Sequence, residues 1–315
     1  MKQTNNAIKF LMAQYRAIFN NAYFKGLATA ALVTVAMSAG QAQAAGLTGA
    51  LNADKTQAVE ITVTEGTNHE LDASGGTNKY SLGITVTGGK VTTKGNIFTK
   101  GDLTVNNSEL YASGGSILLG HDDAEGNTPY VGNFNSNSGT ITLSGGNIGV
   151  VDFALQNGKI TLISGGAGST NLTAYGEGGI QNASGGPTFN LNANSSLTNM
   201  TATLDTATNI TSIGVLTIDS GTYALNGKHA SLDKAHTNLT YLSGTKELKI
   251  QNKAVVNASG TTNALHGTSI SINDSTINVV SGELTLGSSY DRYKRVSGDS
   301  TAPDNAGSIT LTKEL

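Results

Sequence analysis

An aliphatic residue, a Ser or Thr, and a second aliphatic residue recur as a triplet nine times after residue 60. The triplets are Ile61–Val63, Ile84–Val86, Leu103–Val105, Ile141–Leu143, Ile160–Leu162, Leu216–Ile218, Ile270–Ile272, Leu284–Leu286 and Ile309–Leu311. Apolar and hydroxyl residues alternating with period two, most of them β-branched, predict short strands that each bury one face. Most triplets are flanked by pairs such as "GG", "NG", "NN" and "ND", residues that accept positive φ or form local side-chain turns. No amphipathic run of helix length follows Ala45, so the pattern predicts an all-β chain.

A longer phrase also repeats. "VNNSELYASGGSILLG" at Val105–Gly120 returns without a gap as "INDSTINVVSGELTLG" at Ile272–Gly287, with Asn106, Ser108, Gly115, Leu119 and Gly120 matched by Asn273, Ser275, Gly282, Leu286 and Gly287. Beyond each copy an irregular stretch leads to "SGTITL" (Ser138–Leu143) or "AGSITL" (Ala306–Leu311), which we expect to be equivalent strands. Strands this short are not stable alone, but stacked in register each turn of chain covers the apolar pair of its neighbour. The expected fold is therefore a parallel β-helix, or β-solenoid, in which each copy of the phrase supplies two strands around an Asn-rich corner. Asn106, Asn107, Asn273 and Asp274 sit at that corner, where left-handed backbone and stacked amide ladders are expected. At about 20 to 25 residues per coil and about 4.8 Å per strand spacing, on the order of a dozen coils would extend some 50 to 60 Å. The strand pattern fades over 166–187, which reads as a break between two halves.

Composition narrows this picture. Charged residues make up 13% of the chain and hydrophobic ones 37%, against about 25% charged in an average domain, so the core must be thin and regular. Residues 1–44 stand apart. Lys2, Lys9, Arg16 and Lys25 precede an apolar run at Leu27–Ala39 and a small-residue site at Ala42–Ala44, the layout of a signal peptide. The apolar run is shorter than the roughly 20 residues a spanning helix needs. Four of the 19 Lys and Arg and none of the 22 Asp and Glu precede Ala45, leaving 45–315 with a net charge of −7. That balance excludes nucleic acid, whose phosphates require clustered cations, and the absence of Cys suits a chain that crosses membranes unfolded.

The long basic leader, the lack of Cys, the few charges and the "ELTLG"-like strands set between Gly and Asn together resemble the N-terminal passenger region of autotransporters of Gram-negative bacteria. The resemblance implies a parallel β-helix over 45–315, carried through the periplasm to the cell surface or medium. It also implies an outer-membrane translocator barrel, which this chain does not contain, so the sequence reads as a fragment or as a passenger separated from its translocator. A host or environmental surface glycan or protein is the implied partner.

Candidate chemistry is confined to two segments. Asp122, Asp123 and Glu125 form the dense acidic cluster "GHDDAEG", and Tyr290, Arg292, Tyr293 and Arg295 lie in "YDRYKR". The segments follow the equivalent Gly120 and Gly287, so loops 121–137 and 288–306 are expected to contact ligand from one face, the plain alternative being two solvated insertions. Glycoside hydrolysis needs paired carboxylates, which the acidic cluster could supply, yet sugar clefts favour aromatic platforms and Trp is absent. His121 lies beside Asp122 and Asp123, but His69, His229, His236 and His266 show no ligand spacing, so neither metal nor cofactor is expected. "SGDST" at Ser297–Thr301 lacks the Gly that a passenger-protease nucleophile motif carries. The reading is a non-catalytic, adhesin-like or structural passenger. Its alternatives are a β-helix polysaccharide lyase or hydrolase and a secreted matrix protein without a barrel.

Overall fold

All nine triplets are strands in a computed structural model, which describes residues 61–63, 68–80, 83–99, 101–120, 127–164, 169–182, 191–228, 239–287 and 308–312. The candidate signal segment lies outside these residues. The first strands are β1 (Ile61–Val63), β2 (Asn68–Tyr80), β3 (Ile84–Thr87), β4 (Lys90–Thr99), β5 (Leu103–Asn106), β6 (Glu109–Leu118), β7 (Asn127–Pro129) and β8 (Phe134–Asn137). The middle ones are β9 (Thr140–Val150), β10 (Phe153–Gln156), β11 (Lys159–Ile163), β12 (Thr170–Ala174), β13 (Ile180–Asn182), β14 (Asn194–Leu204) and β15 (Thr208–Ser212). The last are β16 (Val215–Leu225), β17 (Thr240–Gly244), β18 (Glu247–Gln251), β19 (Val255–His266), β20 (Ser269–Asn273), β21 (Thr276–Gly287) and β22 (Ser308–Thr312). The chain is all-β, with no helix among the described residues.

Among the described strands every pairing but one is parallel, and the pairings form three ladders. Ladder A stacks β1, β3, β5, β8, β10, the first halves of β14 and β16, then β18, β20 and β22. Ladder B stacks the first halves of β2, β4, β6 and β9, then β11, the second halves of β14 and β16, and the first halves of β19 and β21. Ladder C takes the second halves of β2, β4, β6 and β9, then β12, β15, β17 and the second halves of β19 and β21. Long strands that bend across a corner join ladders B and C. Thus β9 pairs with both β11 and β12, and β19 with both β16 and β17. The sequence β9, β11, β14, β16, β19, β17, β15, β12 therefore closes as a ring of eight parallel strands.

Between the ladders lies one continuous core. Ladder C contributes a column of single aliphatic residues, Ile97, Ile117, Ile148, Leu172, Ile210, Leu242 and Leu265, each in register with the next. Each enclosed aliphatic side chain contributes about 1.5 to 3 kcal/mol relative to exposure. In ladder B, Tyr223 replaces an aliphatic residue beside the small Ala202 and donates its hydroxyl to the Leu197 carbonyl at 3.1 Å. A buried Tyr needs such a partner.

The corner between ladders A and B is as the repeated phrase predicts. Asn107 and Asp274 have φ of 48° and 44°, the left-handed geometry that Asn and Asp tolerate. The matched serines do the same work, Ser108 donating to the Asn106 carbonyl and Ser275 to that of Asn273 at 2.9 Å. Amides also stack along this edge. Asn137 accepts from Asn157 at 3.2 Å and Asn157 from Asn199 at 3.1 Å.

Four details differ from expectation. Each copy of the phrase spans three ladders, because Gly115 and Gly282, both at positive φ, turn the chain again into ladder C. The strands at Ser138–Leu143 and Ala306–Leu311 are not equivalent: Ile141 pairs with Leu110 in ladder B, whereas Ile309 pairs with Ile270 in ladder A. Coil length is not held to 20 to 25 residues: stacked partners lie 20 residues apart where the return is bare but 31 or 42 apart where a connection intervenes, and ladder A holds ten described strands. Finally, β12 lies within the stretch where the pattern fades, and β10 and β12 pair onto β14 and β15 beyond it.

Candidate functional site

The described connections between ladders A and B are short turns. Every connection longer than five residues instead enters or leaves ladder C: those between β6 and β8, β11 and β12, β12 and β14, β16 and β17, and β21 and β22. In stacked repeats, insertions collected along one face mark the surface free to vary and to bind. Here they collect along the flank of ladder C.

Two of these connections meet across it. β7 belongs to the first and β13 to the third, and they form the one antiparallel pair, with Pro129 opposite Ile180. Beside this clasp the Tyr130 N–H donates to the Gly179 carbonyl and the Tyr175 N–H to that of Val150, both at 2.9 Å. The two rings stack with centroids 4.3 Å apart and planes 14° from parallel. Phe98, Leu118 and Val151 complete a second apolar cluster under them. Gly149 lets the rings lie against the ladder: a Cβ there would meet Tyr130 Cε1 at 2.9 Å, Leu118 Cδ2 at 3.0 Å and Tyr175 Cε2 at 3.2 Å. Burial pushes both phenols well above the ordinary tyrosine value, because the phenolate loses its hydration.

Farther along ladder C the outward positions are polar. Asn147 accepts from Asn171 at 2.7 Å, and Asn171 in turn from Asn209. Tyr241 follows in that column, its ring 5.1 Å from that of His266, and both are buried.

At the corner between ladders C and A stands Asp152. It accepts from the Asn194 N–H at 2.6 Å and the Ser195 hydroxyl at 3.4 Å, and Ser195 accepts from the Phe153 N–H at 3.0 Å. Desolvation by burial raises the carboxyl above its ordinary value, against these hydrogen bonds, which favour the ionised form. The folded chain thus binds this proton more tightly than the unfolded chain, so the group favours folding below the ordinary carboxylate value and loses that contribution as pH rises through the folded value. Asp152→Asn keeps an acceptor for Asn194 and removes the half-buried charge. It is expected to melt above the parent at neutral pH and level with it near about pH 3. A variant melting below the parent at neutral pH would contradict this assignment.

Asp122, Asp123, Glu125, Tyr290, Arg292, Tyr293 and Arg295 all lie outside the described residues, as do His121, His229 and His236. The ends of their segments are nonetheless placed. The connection after β6 and the one after β21 both leave ladder C and enter ladder A, so the two loops spring from the same corner. Among the described residues no group of His, Cys, Asp or Glu could hold a metal ion. Tyr130, Tyr175 and Gly149 were not among the sequence candidates, since a Tyr in a Gly-rich connection carries no period-two signal. Comparison with protein-family models, curated proteins and solved structures yields no match.

Proposed function

We propose that the chain is an exported parallel β-solenoid, the passenger-like part of an autotransporter-type surface protein, acting as an adhesin-like or structural module without catalysis. Ladders A and B are its scaffold, and the connections along ladder C, including those bearing Asp122, Asp123, Arg292 and Arg295, contact a surface glycan or protein. The observation that carries the reading is the segregation of the five long connections to ladder C while parallel pairing links the described strands from β1 to β22. A catalytic β-helix needs fixed reacting groups on its face, whereas a display module needs only regular support for variable loops.

The test is expression in a Gram-negative host with residues 1–44 intact, followed by mass spectrometry of the exported N-terminus and small-angle scattering. A chain beginning at Ala45 with a rod-like profile is expected. Retention of the leader in the cytoplasm, or a spherical profile, would sink the reading.

A further inference from the structure

We propose that Tyr130 and Tyr175 form an oxidative cross-linking site, in which a one-electron oxidant joins the two rings as dityrosine and staples the two connections that meet over ladder C. The geometry points to this chemistry. Phenoxyl radicals couple through the carbons ortho to the oxygen, the Cε positions. Tyr130 Cε1 and Tyr175 Cε2 both lie over Gly149, within 2.9 and 3.2 Å of one point. The rings are already stacked at 4.3 Å. Tyr111 stands outward on ladder B and Tyr223 is enclosed in the core.

The step balances with an oxidant of the haem-peroxidase class and hydrogen peroxide. Each phenol loses one electron and its hydroxyl proton, and the two radicals join in one Cε–Cε bond. Each ring then loses its Cε proton and regains one at oxygen, restoring both phenols. Overall two C–H bonds break, one C–C bond forms, and two electrons and two protons reduce hydrogen peroxide to two waters. Burial shields the radicals from solvent reductants, and holding the rings together replaces a bimolecular encounter by an intramolecular one.

The site also answers a structural need. β7 and β13 pair over only three residues, too few to be stable alone, and a chain without Cys cannot hold its excursions by disulfides.

The experiment is brief visible-light oxidation of the full chain with tris(bipyridine)ruthenium(II) and persulfate, followed by intact mass, dityrosine fluorescence and peptide mapping. The expected product is a monomer two hydrogens lighter, with the peptides containing Tyr130 and Tyr175 joined. Tyr130→Phe, which keeps the ring and the packing, should lower the yield by about tenfold or more, as expected when a preset pair is lost, while Tyr111→Phe leaves it unchanged. Oxidation in denaturing urea serves as a second measurement that needs no variant, and there the specific link should vanish. Absence of the 130–175 link, its undiminished formation in Tyr130→Phe or in urea, or coupling only between molecules would overturn the proposal.

Discussion

Leu172→Ala lowers the stability of the folded chain by about 3 kcal/mol, within the range of about 2 to 5 for an enclosed Leu truncated to Ala. Leu172 is wholly enclosed, and its column neighbours Ile148 and Ile210 are held in register by parallel pairing on both sides. Their backbones are fixed by those ladders, so they cannot close over the space that is left, and the cavity adds to the lost burial. Val279→Ala is the comparison. Val279 is paired with Ala258 in the last described strand of ladder B, yet it is 53% exposed, and the same truncation should stay within about 0.5 kcal/mol. Urea unfolding of the two variants measures the difference. Equal midpoints would mean that enclosure within the column is not what holds the ladders together.

The contrast also separates what the sequence made legible from what it did not. Six of the nine triplets stand in ladder A, two in ladder B and one in ladder C. Alternation identifies an inward-facing strand but fits any inner column, so it cannot say which ladder a strand joins. For that reason the equivalence drawn between Ser138–Leu143 and Ala306–Leu311 failed, while the corner at Asn107 and Asp274, fixed by local φ preference, came through. Ladder C was largely unread because strands such as "TNITS" (β15) and "TYLSG" (β17) look like loops. All five positions of each are nevertheless buried. The connections meet the hydroxyl at the start of each strand: Thr208 and Thr240 donate to the Asp205 carbonyl at 2.8 and 2.7 Å, and Thr170 of β12 to that of Ile163 at 2.6 Å, while the buried Ser212 hydroxyl has no partner. Polar residues thus fill an interior that composition alone assigns to aliphatics. The Tyr130 and Tyr175 stack was hidden for a different reason. It depends on two connections meeting across the ladder and on the missing side chain of Gly149, none of which is local in sequence.

Gly114 and Gly115 adjoin in the chain and should respond very differently to alanine. Gly114 has φ of +62° with nothing within 4 Å of an added Cβ, so Gly114→Ala meets only the left-handed strain, on the order of 1 to 2 kcal/mol. Part of that is offset by the lower freedom of Ala in the unfolded chain, leaving about 1 kcal/mol. Gly115 has φ of +96°, and a Cβ there would fall inside the backbone of Gly95 on the neighbouring strand. Its backbone strain is on the order of 1 to 3 kcal/mol. Overpacking adds about as much again, because Gly95 is itself the corner residue of β4 at φ of +74° and has little room to retreat. Gly115→Ala is therefore expected to lose about 4 kcal/mol, some 3 more than its neighbour. Similar urea midpoints for the two variants would show that the turn from ladder B into ladder C depends on glycine's φ alone. A large gap would show that it depends on backbone stacked directly on backbone, the contact that Gly282 repeats against Gly260 in the second copy of the phrase.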